Sequence, residues 1–149
     1  GLPPQFRHGL TPLHVAAAAG HAGALRALLA GKADPQRPDF AGTPPLHKAA
    51  ERGAPPAIRA LLEGRAQVLA TDRARKFTAL HAAAKAGNLP ALEELVGAVG
   101  PEERALGVVG VDLLDRWGRA PLHWVLLNAH PCCCRRLLAA GATIQGEVA

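Results

Sequence analysis

Four histidines, His14, His47, His81 and His123, each close one recurring four-residue phrase. Imidazoles at regular spacing suggest a metal site or acid–base chemistry. The phrase reads Thr11-Pro12-Leu13-His14, Pro44-Pro45-Leu46-His47, Thr78-Ala79-Leu80-His81 and Ala120-Pro121-Leu122-His123. Its starts lie 33, 34 and 42 positions apart (11 to 44, 44 to 78, 78 to 120). A period of that size means stacked supersecondary units rather than one mixed core. Stacked helices sit about 8–10 Å apart, whereas zinc needs each ligand nitrogen within about 2.1 Å. Histidines of successive units therefore cannot share one ion.

A second cluster is Cys132, Cys133 and Cys134 beside His130. Consecutive helical residues point about 100° apart and do not converge on an ion. In register with the first unit, Cys133 and Cys134 replace Ala24 and Leu25, so they are expected to fill core positions as small apolar side chains. Cys132 is the most exposed candidate for redox or metal chemistry. Adjacent cysteines pair poorly with one another, and their number is odd, which suits a reducing intracellular compartment. No Gly-rich phosphate loop, Gly-x-Ser-x-Gly or His-Glu-x-x-His occurs. The acidic pairs Glu93-Glu94 and Glu102-Glu103 are expected on solvated faces. No catalytic constellation emerges, so no enzyme, cofactor, metal or small-molecule substrate is expected.

The elements that carry these residues follow from local chemistry. Thr11 can cap a helix with its hydroxyl, and Pro12 suits the first helical position. Leu13, Ala16 and Ala17 then share one face, and Gly20 ends the helix. A second helix follows with Leu25, Leu28 and Leu29 at the same spacing; the stretch 31–42 carries turn residues. Later units repeat this: Leu46, Ala49, Ala50, then Leu80, Ala83, Ala84, then Leu122, Val125, Leu126 in first helices. Second helices carry Ile58, Leu61, Leu62, then Leu92, Leu95, Val96, then Cys134, Leu137, Leu138. Pro55, Pro56, Pro90 and Pro131 fall where second helices should begin, the place a proline is tolerated. Apolar residues make up 49% and aromatics only 3%, so the core is built from Ala and Leu. The reading is an all-α solenoid of four helix-turn-helix units joined by β-hairpin-like turns. One domain spans 1–149, with units near 6–38, 39–72, 73–110 and 115–146.

This pattern resembles the ankyrin repeat, a turn plus two antiparallel helices of about 33 residues with a T-P-L-H-x-A phrase. Thr11 to Ala17, Gly20-His21 and Leu28-Leu29 match it, and Asp39-Phe40-Ala41-Gly42 and Asp115-Arg116-Trp117-Gly118 match its hairpin turn. The resemblance covers roughly residues 5 to 146. It implies that the phrase histidines are structural, bonding within and between turns. Departures are informative. Pro44 and Ala120 replace the capping threonine, at about 1 kcal/mol each. Lys76 replaces the hairpin glycine and Asp72 sits one place early, which makes the third turn the least regular. Val125 and Leu126 replace two small alanines, so the last first-helix is not expected to pack at the usual distance.

The third spacing exceeds 33 by nine, and the extra length falls within 97–110. Pro101, Glu102 and Glu103 suit a short helix start there. A tolerated surface insertion is the plain expectation; exposed Val108 and Val109 would make it a binding element. No apolar run approaches a membrane span, and no secretory signal is visible. The sequence contains no methionine, so it is expected to be part of a longer protein.

Lys and Arg outnumber Asp and Glu by 17 to 12, a net charge of +5 that favours acidic partners. Partners of ankyrin-like arrays usually meet the turn tips and the exposed side of the first helices. By register this surface carries Arg7, His8, Phe40, Glu51, Arg52, Arg75, Phe77, Lys85, Arg116, Trp117, Arg119 and Asn128. Basic side chains punctuated by aromatics suit an acidic protein segment with apolar anchors. Trp124 belongs either to that surface or to the end of the stack. The resemblance thus implies a non-enzymatic scaffold or adaptor. The alternatives are a nucleic-acid-contacting component of a ribonucleoprotein assembly, or the regulatory or substrate-recruiting arm of a larger enzyme.

Overall fold

A computed structural model describes residues 9–99, 110–140 and 142. Helices pair along the chain: α1 (Pro12–Ala19) with α2 (Ala22–Ala30), α3 (Pro45–Arg52) with α4 (Pro55–Glu63), and α5 (Ala79–Ala86) with α6 (Leu89–Ala98). A 3₁₀ turn, Gly110–Asp112, precedes the last pair, α7 (Pro121–Leu127) and α8 (Pro131–Ala139). First helices α1, α3, α5 and α7 pack in series, as do second helices α2, α4, α6 and α8. No strand is present among the described residues.

Thr11 and Thr78 cap α1 and α5 as their hydroxyls imply, each accepting the N–H of the phrase histidine. That histidine's Nδ1 in turn accepts the cap's own N–H at 3.2 Å in both units. Gly20, Gly53 and Gly87 close α1, α3 and α5 in the left-handed conformation, where a Cβ is disfavoured. In the last unit Ala129 takes this conformation instead, at φ 54°. Pro55, Pro90 and Pro131 all lie in the first turn of a second helix.

The core lies between the two rows. Leu13, Leu46, Leu80 and Leu122 from the first helices, and Leu25, Ile58, Leu61, Leu92, Leu95 and Leu137 from the second, are buried. Alanines 17, 50 and 84 are fully enclosed between successive first helices, where small side chains let helices approach. Burial falls off at the ends: Leu28, Leu29, Cys134 and Leu138 are only partly covered. Cys133 fills a core position as expected, Cys134 does so only in part, and Cys132 is exposed. The expected insertion starts later than its sequence position suggests, because α6 runs on to Ala98 and Val99 and Val111 pack into the core. Pro101, Glu102, Glu103, Val108 and Val109 lie outside the described residues.

Candidate protein-binding face

Each hairpin is tied by one aspartate. Asp39 accepts the N–H groups of Ala41 and Thr43, both at 2.9 Å, and Asp115 accepts those of Trp117 and Arg119 at the same distance. Asp72 does this for Arg75 and Phe77 at 2.9 and 3.1 Å across a loop one residue longer. The early aspartate thus keeps its job, and Lys76 takes the left-handed conformation at φ 55°.

The phrase histidines stitch one unit to the next. Nε2 of His14, His47 and His81 donates to the carbonyl oxygen of Thr43, Phe77 and Arg119 at 2.7, 2.6 and 2.9 Å. Each acceptor lies just before the next unit's cap. Burial holds all three imidazoles below their ordinary pKa, against the opposing pull of those carbonyls. Nδ1 of His47 is buried with no hydrogen-bond partner among the described residues, because Pro44 has no N–H to offer.

These stitched turns carry an aromatic cluster. The ring of Phe77 stacks on His81 at 5.2 Å and meets the edges of Trp117 and Trp124 at 6.2 and 5.4 Å. Trp117 and Trp124 meet edge to face at 6.4 Å, and the Trp124 indole N–H donates to Asp115 at 2.8 Å. Trp117 remains 52% exposed. Cations surround the rings: Arg75 lies 4.3 Å above Phe77, while Lys85 and Arg119 lie 5.4 and 5.2 Å from the Trp124 ring. A groove of about 340 Å³ beside the cluster is lined by Glu51, Arg75, Phe77, Ala82, Lys85 and Ala86.

The expected surface residues divide accordingly. Glu51, Arg75, Phe77, Lys85, Arg116, Trp117 and Arg119 gather around this cluster. Phe77, however, is buried and forms its floor rather than an exposed anchor, because the third hairpin folds its ring onto His81. Arg75 is not a free cation either, being paired with Asp72 at 3.1 Å and Glu51 at 3.6 Å. Arg116 donates its backbone N–H to the Arg75 carbonyl at 2.8 Å, and its guanidinium reaches the Arg73 carbonyl at 3.5 Å. Asn128 is tethered, donating to the Lys85 carbonyl at 3.0 Å. Phe40 is 74% exposed at the second hairpin tip, with its ring over Gly9. Arg52 is exposed and borders Gly20. Arg7 and His8 lie outside the described residues.

Trp124, left between two places by the sequence, belongs to this cluster. Its position directly after a phrase histidine, next to the Asp115 hairpin, was the available signal. Among the described residues, no three His, Cys, Asp or Glu side chains converge in a way that could hold a metal. The described helices include none long and apolar enough to cross a membrane.

A family model for ankyrin repeats (3 copies) matches residues 3–72 and 67–147. No curated protein matches the chain. Ankyrin repeats are generally protein–protein interaction modules, and the fold is typically non-enzymatic. With stacked helix pairs, stitched histidines and matches over residues 3–147, this chain belongs to the ankyrin-repeat family.

Proposed function

We propose that this chain is a scaffold or adaptor that holds an acidic protein segment, with one apolar side chain seated against Trp117. The observation that carries this reading is the half-exposed Trp117 ring, braced by Phe77 and Trp124. Lys85, Arg116 and Arg119 border it without an ion-pair partner among the described residues. The nearby acids are engaged: Asp72 and Asp115 tie their hairpins, and Glu51 faces Arg75. Such a site favours carboxylates around an apolar anchor. A nucleic-acid strand wants successive exposed rings, whereas Phe77 is buried and Trp124 half-buried. Three free thiols suit a reducing intracellular compartment.

The test is selection from a random peptide-display library, followed by affinity measurements on the enriched peptides. Asp or Glu around an apolar residue is the expected consensus. Trp117→Ala and Arg116→Glu should each weaken binding about tenfold or more. A consensus without acids, or binding indifferent to both substitutions, would sink the reading. Tight oligonucleotide binding that collapses with added salt would transfer it to nucleic acid.

A further inference from the structure

The last unit ends in a face that the other units cover. Leu126 stands in register with Ala17, Ala50 and Ala84, which are 0% exposed beneath the next first helix, yet Leu126 is 62% exposed. Leu127 beside it is also 62% exposed. His123 repeats half of the stitching pattern. Its Nδ1 accepts the Ala120 N–H at 2.9 Å, but its Nε2 makes no hydrogen bond among the described residues. Among the described residues, no carbonyl takes the place of those that His14, His47 and His81 each find in the following unit.

Leu126 forms a ridge between two grooves. One, of about 320 Å³, is lined by Arg119, His123, Leu126 and Leu127. The other, of about 550 Å³, lies against Val125, Leu126, Ala129, His130, Cys134 and Arg135. Each groove has an arginine at its edge. Residues 116–142 contain four arginines and no Asp or Glu. The face is therefore apolar at its centre and positive at its rim.

We propose that this C-terminal face docks an amphipathic helix of a protein partner, with an apolar stripe astride Leu126 and acidic flanks facing Arg119 and Arg135. The face continues the repeat–repeat interface, so it is already shaped for a helix. A further unit of the same kind fits it poorly, since Leu126 fills the space that alanine leaves for close approach. A second copy brings the same positive rim and is repelled. Nε2 of His123 is a spare donor for a carbonyl on the incoming segment.

The probe is a synthetic helix of about five turns with leucines at i, i+3, i+4 and i+7 and glutamates on both flanks. A twin peptide carries lysines in place of the glutamates. The glutamate peptide should bind in fluorescence anisotropy and the lysine twin should not. Leu126→Glu and Arg135→Glu should each weaken the glutamate peptide about tenfold, with Arg135→Glu serving should Leu126→Glu fail to fold. Trp117→Ala should leave this binding unchanged, which separates the end face from the Trp117 site. Failure of the glutamate peptide to bind, equal binding of the two peptides, or loss on Trp117→Ala overturns the proposal. A dimer in sedimentation that Leu126→Glu dissolves overturns it as well, because the occupant is then a second copy.

Discussion

In the second unit the residue before the first helix is Pro44, which has neither a hydroxyl nor an N–H. In the third it is Thr78, whose N–H and hydroxyl both engage His81 Nδ1, at 3.2 and 3.0 Å. Their hairpins reverse the contrast. The second turn has Gly42 at φ 79°, where a Cβ would overlap Arg73 of the following turn. The third has Lys76 in that conformation at φ 55°. One unit has a sound turn and a defective cap, the other a sound cap and a strained turn. Both keep the Nε2 bond to the next unit. The link between units is thus protected, while the local devices on either side of it are expendable.

The largest test of this contrast removes the link. His81→Leu leaves the buried Thr78 N–H without a partner and removes one of two donors to the Arg119 carbonyl, which keeps the Asp115 N–H at 2.9 Å. His47→Leu removes only a second donor from the Phe77 carbonyl, which keeps the Asp72 N–H at 3.0 Å, because Nδ1 of His47 has no partner among the described residues. At about 1–3 kcal/mol for the orphaned N–H and about 1 for each lost hydrogen bond, His81→Leu should lose about 2–4 kcal/mol and His47→Leu about 1. Urea midpoints at constant m-value measure both, and equal losses would break the contrast. Acid adds a second readout. His14, His47 and His81 have folded pKa values below their unfolded ones, so the unfolded chain binds more protons as pH falls below about 6.5. Stability should decline through that range and level off once the folded histidines also protonate. His81→Leu should make that decline shallower.

The next test repairs the cap. Pro44→Thr supplies an N–H and a hydroxyl to His47 Nδ1, recreating the Thr11-Pro12 arrangement ahead of Pro45. It should raise stability by about 1–2 kcal/mol. An unchanged unfolding midpoint would mean that the buried nitrogen has found a water.

Much of this was legible because the signals are local. A capping threonine, a proline in the first turn and a glycine in the last fix each helix pair within a few residues, and the phrase then repeats them. The site was less legible because it depends on which way side chains turn across a unit boundary. Phe40 directly follows its hairpin aspartate and stays in solvent, whereas Phe77 stands where Thr43 does, just before the cap, and turns inward onto His81. Arg75 shows the same limit. Its charge was evident, but its pairing with Glu51 and Asp72 links residues of two units. Trp124 also needed the fourth hairpin's Asp115 to place its indole N–H.

The turn gives a smaller test. Lys76→Gly relieves the left-handed strain while freeing the unfolded chain, so the net gain should be about 0.5–1 kcal/mol in the same urea assay. A loss would mean that the Lys76 side chain, rather than its backbone, holds the third hairpin.

The smallest effect belongs to the fourth unit, which lacks the threonine without sharing the second unit's defect. Ala120 keeps its N–H, and that N–H reaches His123 Nδ1 at 2.9 Å. Ala120→Thr therefore adds only a hydroxyl acceptor for the His123 N–H, worth about 0.5 kcal/mol at the low end of capping effects. A clear excess of the Pro44→Thr gain over the Ala120→Thr gain would assign the difference to the orphaned nitrogen of His47. Equal gains would mean that the hydroxyl alone matters in both units, and that the missing N–H of Pro44 has no energetic consequence.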